Sequence, residues 1–224
     1  MPREIEKKAL TGDERTIFDL EFDRLLTLQL RERALIDIFA MHKAYVLESA
    51  EVAKEKFDSP FAGINAGSGQ FGFTFIRPEH VFGKAAAAGA ENIVTWDKTI
   101  TTASLNGATN GWIDWIGTEA SKAKIHKELL IVPLCLANYV QSPKAVAVKM
   151  HTSDRTYPVW NMEPIAKITD TKIFEIAKPF RVLPEGELYT EVKYEATGKD
   201  ALAILGIAFA KGTYLLLENP DLST

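Results

Sequence analysis

The sequence predicts a mainly β protein, an antiparallel β-sandwich over residues 59–224 preceded by an N-terminal helical or extended arm over residues 1–58. Three observations carry this. Beyond residue 70 the recognisable segments are short, rich in β-branched and aromatic residues, and separated by turn signals. No long helical period interrupts them, which favours an antiparallel sandwich or barrel over a parallel sheet. Before residue 58 charge is dense, with 10 Lys/Arg and 13 Asp/Glu out of 26 and 30 in the whole chain, as in a helical region solvated on one side.

The N-terminal elements follow from local chemistry. Thr11 with Glu14 fits a capping box, in which hydroxyl and carboxylate each satisfy a backbone N–H that the first helical turn leaves unpaired. Between Ile17 and Leu30, "FDLEF" and "LTLQL" alternate with period two, so an extended arm competes with helix there. From Arg31 to Phe57 the apolar positions Leu35, Ile38, Phe39, Val46, Ala50 and Ala53 recur at steps suited to one stripe of a helix, and one long amphipathic helix is expected. "DSPFAGINAGSGQFG" (58–72) reads as a loop.

Strands are then expected at the alternating Phe71, Phe73 and Phe75, and at 92–102, 111–118, 128–137, 144–152, 156–162, 171–177, 187–196, 201–210 and 213–217. The Ala-rich 84–90 is a candidate short helix. In "ELYTEVKYEA" Leu188, Thr190, Val192 and Tyr194 share one face, while Glu187, Tyr189, Glu191, Lys193 and Glu195 share the other, wet one. "TGKD" turns the chain back. On the return, Leu202, Ile204 and Ala208 occupy one face and Leu205, Ile207 and Phe209 the other, so both faces must leave water. Burying one Leu, Ile or Phe contributes roughly 1.5–3 kcal/mol. Either the N-terminal helices or another copy of the chain covers the second face.

Composition narrows function. At 224 residues and 46% hydrophobic content the chain can bury a sizeable core. A net charge of −4 gives no overall footprint for nucleic acid, and the N-terminus mixes Arg3, Lys7 and Lys8 with Glu4 and Glu6, so direct nucleic-acid binding is not predicted. Cys135 is the single cysteine, which rules out an intrachain disulfide and a four-cysteine zinc site; inside "LLIVPLCLANYV" it reads as a small buried hydrophobe. The apolar runs 129–140 and 201–210 fall short of the roughly 20 residues that span a bilayer, and no signal peptide is expected, which points to the cytoplasm.

Catalytic motifs fail on context. Gly67-Ser68-Gly69-Gln70-Phe71-Gly72 satisfies G-x-G-x-x-G, but an alternating strand follows where a dinucleotide site needs a helix. A kinase would need a lysine, a catalytic loop and a magnesium site that do not follow. His42, His80, His126 and His151 show no metal-ligand spacing, and no G-x-S-x-G elbow occurs, so neither cofactor nor metal is expected and an enzyme is not predicted. Asp114, between Trp112 and Trp115, is the best single candidate for a sugar-facing carboxylate, against a plainer role for both tryptophans in packing or as interface anchors.

The charged N-terminal segment, the Gly/Pro-rich loop, the eight to ten strands and the ending "KPFRVLPEGELYTEVKYEATGKDALAILGIAFAKGTYLLL" together resemble the single jelly-roll coat proteins of icosahedral viruses, over roughly residues 70–224. The resemblance implies a jelly-roll-like sandwich and a self-assembling structural subunit of a virion, put together in the host cytoplasm from copies of itself or other shell proteins. Without a basic arm, it also implies a genome of duplex DNA, or one lined by membrane or another protein. The shell architecture of tailed phages and encapsulin-like compartments would need a long spine helix that does not follow residue 90. Expected contact residues are Phe18, Leu20 and Phe22 of the arm, Trp112 and Trp115, and Leu205, Ile207 and Phe209. A carbohydrate- or ligand-binding sandwich and a carboxylate-dependent hydrolase are the alternatives, since sandwiches host all three.

Overall fold

The computed structural model describes residues 6–82, 95–108, 111–163 and 172–212. The capping box at Thr11 forms: Glu14 N–H donates to Thr11 Oγ1 at 3.3 Å and Thr11 N–H to Glu14 Oε2 at 2.7 Å. It opens α1 (Gly12–Gln29), so the stretch with period-two alternation is helical. The decisive spacing is that of Phe18, Phe22, Leu25 and Leu26, all buried along one side. The single helix expected over 31–57 is two, α2 (Arg33–Met41) and α3 (Lys43–Phe57), parted at His42, whose ψ of 7° leaves the helical range. The His42 imidazole lies 3.0 Å from Glu175 of a strand below, which ties the break to the sheet.

Two antiparallel sheets follow. The central sheet runs β1 (Phe71–Phe75), β10 (Gly198–Lys211), β5 (Leu129–Asn138), β8 (Ile173–Glu175), with β2 (Asp97–Ile100) also paired to β10. The outer sheet runs β3 (Trp112–Ile116), β9 (Glu187–Tyr194), β6 (Ala145–Thr152), β7 (Trp160–Asn161), with β4 (Ala123–Lys124) also on β9. Short helices α4 (Glu79–Phe82) and α5 (Thr102–Asn106) precede and follow β2. Thr101 caps α5, ending β2 before residue 102, where the sequence suggested strand. The Ala-rich 84–90 and the expected strand 213–217 lie outside the described residues.

Three layers result, because the central sheet is apolar on both faces. All ten residues of β5 are buried. Toward the outer sheet, Leu202, Ile204, Ala208 and Ala210 of β10 join Leu129, Ile131 and Leu136 of β5 against Ile116, Val148, Met150, Leu188 and Val192. Toward the helices, Ile207 and Phe209, with half-buried Leu205, meet Phe18, Phe22, Phe39, Val46, Ala50 and Phe73. A bulge keeps both faces filled: Leu205 pairs with Cys135 but Gly206 with Pro133, so Leu134 is the extra residue and the alternation of β5 changes parity there. Leu134 and Cys135, adjacent in sequence, therefore both face the helices.

This corrects the expected interface. The face formed by Leu205, Ile207 and Phe209 is covered by α1–α3 of the same chain, Ile207 and Phe209 being fully buried, and no second copy is needed to shield it. Phe18 and Phe22, expected to reach a neighbour, are likewise buried against their own sheet, so residues 12–57 form a layer of the fold and share its core. The helices drape inward because a sheet buried on its outer-sheet side still presents Phe73 and Phe209 on the other, and Phe18 of α1 packs against Phe73 there. Among the described residues no helix is long and apolar enough to cross a membrane.

Candidate functional site

Among the described residues the helices cover one face of the central sheet, and the outward face of the outer sheet is left as the other broad surface. Strand register fixes which side chains meet there. Trp112 stands opposite Lys193 and Asp114 opposite Glu191; on the other flank of β9, Lys149 stands opposite Glu191 and His151 opposite Tyr189. Two carboxylates directly across a ladder repel, and the neighbouring side chains compensate. Tyr189 O–H donates to Asp114 Oδ1 at 2.9 Å, while Glu191 Oε2 lies 3.5 Å from His151 Nε2 and 3.7 Å from Lys149 Nζ. The Lys149 ammonium also sits 3.8 Å from the Trp112 ring centroid, a cation–π contact that orders both. Burial first, and then the Asp114 and Glu191 carboxylates, push the Tyr189 phenol up, so it stays a protonated donor.

Beside this network lies a cleft of about 580 Å³. His151 and Tyr189 border it, their rings stacked on one another with centroids 5.1 Å apart and planes at 21°, Tyr189 buried and His151 half-buried. One wall is the β6–β7 loop, Thr152 to Thr156, closed by Thr152 N–H donating to Arg155 O at 2.8 Å and held to β9 by Glu187 N–H donating to Ser153 Oγ at 2.8 Å. Glu119 and Lys122 of the β3–β4 loop form the other, and Lys122 Nζ lies 3.4 Å from Glu187. The His151 Nδ1 atom is 3.0 Å from Thr156 Oγ1, which fixes the ring's orientation.

The remaining expected residues are dispersed. Trp115 is buried between the sheets, whereas Trp112 is half-buried on the outward face. A bulge separates them: Asp114 pairs with Glu191 but Ile116 with Thr190, so Trp115 and Ile116 both turn inward, and the freed Ile116 N–H donates to Thr190 Oγ1 at 2.9 Å. Leu20, at 68% exposure, faces solvent on α1. Cys135 is buried, and burial followed by the nearby Glu175 carboxylate pushes its thiol up to about 12. The histidines stand apart: His42 is on the helices, His80 is buried and pushed down to about 3 by burial and then Arg77, and His126 Nδ1 accepts from Glu128 N–H. Among the described residues no group of three or more His, Cys, Asp or Glu is placed to hold a metal ion. In the Gly-rich loop, Gly67 N–H donates to the Gln70 side chain at 3.0 Å and the chain passes straight into β1, so that amide is spent within the turn.

Tyr189, Glu191, Lys149 and His151 were not singled out by motif. The alternation of "ELYTEVKYEA" does put Tyr189 and Glu191 on one wet face, and "VKMHT" likewise aligns Lys149 with His151. Only the register of β6 and β3 on β9 brings the two sets together. No protein-family model matches the chain, and no curated protein matches it in sequence.

Proposed function

We propose that the protein is a structural, non-catalytic subunit that assembles with copies of itself into a shell, a virion coat protein whose sandwich is a jelly roll. One observation carries the reading, the order of the strands. Leaving aside β2 and β4, the sheets run β1-β10-β5-β8 and β3-β9-β6-β7. Counted in chain order those eight strands pair first with last, second with seventh, third with sixth and fourth with fifth. That is the pattern of a long antiparallel ribbon rolled once upon itself, the double Greek key found in viral capsid proteins, lectins and cupins.

Within that group the interior favours a building block. A cupin-like or lipocalin-like site needs a chamber between or within the sheets. Here that space is occupied by Ile116, Ile131, Leu136, Val148, Met150, Val192 and Ile204. Apolar side chains left exposed lie on several sides: Leu20 and Met41 on the helical layer, Tyr139 just past β5, and Val159 in the β6–β7 connection. A subunit in a closed shell meets neighbours on more than one flank, each stable contact taking about 800 Å² from a partner. With Ile207 and Phe209 spent internally, support for assembly rests first on topology, and the scattered exposed side chains serve as candidate contacts.

The reading places the chain in a virion assembled in the host cytoplasm, with a net charge of −4 suited to a shell that does not itself grip the genome. The test is negative-stain imaging of the purified full chain alongside light scattering over a wide concentration range. Closed particles or regular lattices are expected, diminished by the pair Leu20→Asp and Val159→Asp. A strict monomer at every concentration and salt condition would overturn the proposal.

A further inference from the structure

We infer that the cleft on the outward face of the outer sheet is a binding site for a neutral saccharide, a role separate from assembly and independent of it. The inference starts from what lines the cleft. No aliphatic side chain contributes to it among the described residues; the lining is carboxylates, cations, hydroxyls, one imidazole and one phenol. A lipid or an apolar peptide anchor would find no surface there to displace water from.

Charge argues for a neutral ligand. Glu119, Asp154 and Glu191 are interspersed with Lys122 and Arg155, so neither sign dominates, and an anionic or cationic ligand would meet its own charge wherever it lay. The inner charges are also partly used: Glu191 by Lys149, Lys122 by Glu187. What such a surface offers is alternating donors and acceptors, which suits a molecule that is itself both at every carbon. A carboxylate oxygen accepts from a sugar hydroxyl, a guanidinium donates to one, and Ser or Thr hydroxyls do either.

Shape and order argue for a sugar ring. Tyr189 is 6% exposed and stacked against His151, so the aromatic surface that reaches the cleft is the half-buried His151 ring, against which the C–H face of a pyranose can lie, with the polar wall beside it. These groups are held before any ligand arrives: Tyr189 by Asp114, His151 by Thr156, Ser153 by the β9 backbone. A preordered site loses little side-chain entropy on binding. Asp114 enters as a positioning residue, fixing the Tyr189 ring through its hydroxyl and not by touching the sugar.

The full chain, screened on an array of neutral, sialylated and sulfated glycans and on insoluble polysaccharides, tests the inference. Free oligosaccharides as competitors distinguish a small soluble ligand from a surface glycan. At least one neutral saccharide is expected to bind, with affinity falling tenfold or more in Arg155→Ala and in Glu191→Gln, while Tyr189→Phe, which frees the buried ring packed against His151, weakens binding less. Circular dichroism of each variant checks that the fold is kept, and Glu119→Gln provides a second, rim-located variant if Glu191→Gln is unfolded. Failure of every neutral glycan to bind, binding restricted to acidic glycans, or binding unchanged in Arg155→Ala and Glu119→Gln would each overturn it. Particle formation by the same variants is read separately, so loss of glycan binding with assembly intact is distinguishable from failure of the shell reading.

Discussion

The ring of Phe18, on α1, lies 5.8 Å centroid to centroid from that of Phe73, on β1. Phe73 in turn lies 6.1 Å from Phe209 on β10, so a chain of aromatic contacts joins the first helix to a strand almost 200 residues later. The contact is what makes the helical segment a layer of the fold. Removing a buried phenylalanine costs about 3–5 kcal/mol through lost transfer energy and the cavity left behind. Phe18→Ala is therefore expected to lower stability by that amount in urea unfolding, whereas Leu20→Ala, two residues on and exposed to solvent, should stay within about 0.5 kcal/mol of the parent. Equal behaviour of the two variants would mean that α1 is not docked in solution.

Gly206 stands opposite the bulge in β5, where the neighbouring backbone leaves no room for a side chain. A Cβ built there would lie 2.0 Å from the Val132 carbonyl oxygen and 3.0 Å from Leu134 N, backbone atoms of the bulged strand that cannot swing aside. Gly206→Ala should destabilise by about 1–3 kcal/mol or more, although alanine is ordinarily the milder residue for backbone entropy. Chemical denaturation checks this, and an unchanged midpoint would show that β5 and β10 are spaced more widely than described.

The carboxylate of Glu14 fastens α1 to the rest of the helical layer. It accepts from Lys54 Nζ at 2.5 Å, from Thr11 N–H at 2.7 Å and from Phe61 N–H at 3.0 Å. Burial alone would push the carboxyl up, but these hydrogen bonds, that of Lys54 foremost, outweigh it and hold the value down at about 2 against an ordinary 4.5. Because the folded value lies below the unfolded one, the contribution is fully present above about pH 4.5 and is lost as pH falls toward 2. It amounts to something on the order of 3 kcal/mol. Glu14→Gln should thus cost most near neutrality, where it also leaves the Lys54 ammonium buried without its partner, and the gap from the parent should close on acidification. Melting curves at pH 7, 4 and 2.5 give the comparison; a gap independent of pH would exclude the linkage.

Legibility in the sequence followed the range of the interactions. The capping box joins Thr11 to Glu14 three positions on, and the faces of "ELYTEVKYEA" follow from alternation, so both were readable directly except at Tyr189, which alternation puts on the wet face and the fold buries. The doubly apolar character of 201–210 was readable too, but not what covers it, because Phe18 and Phe209 meet only through the tertiary fold. Residues 17–30 misled by alternating at period two while the buried set Phe18, Phe22, Leu25 and Leu26 kept helical spacing. Bulges hid most. An extra residue at Leu134 or Trp115 changes which side every later residue takes; Pro133 and Gly206 mark the first of these in the sequence, whereas no Pro or Gly inside β3 marks the second. The cleft was invisible for the same reason, since Asp114, His151 and Tyr189 are neighbours only once three strands are in register.

The bulge in β3 supplies a last prediction. By inserting Trp115 between two ladder pairs it frees the Ile116 N–H, a donor buried where water does not reach, and Thr190 Oγ1 takes it at 2.9 Å. Thr190 is itself fully buried, so its hydroxyl has no solvent to turn to. Valine matches threonine in shape and lacks only the acceptor; Thr190→Val should therefore leave packing intact yet cost about 1–3 kcal/mol, the penalty of an unsatisfied buried amide. Thr190→Ser, which keeps the oxygen and loses a methyl group, should retain the hydrogen bond. Amide hydrogen exchange separates the two causes of instability. The Ile116 N–H should exchange markedly faster in Thr190→Val but not in Thr190→Ser, while that of Val192 on the adjoining strand keeps its protection in both. Equal protection of Ile116 in the parent and in Thr190→Val would mean that the amide finds another acceptor, and that the hydroxyl is not what allows Trp115 and Ile116 to face the core side by side.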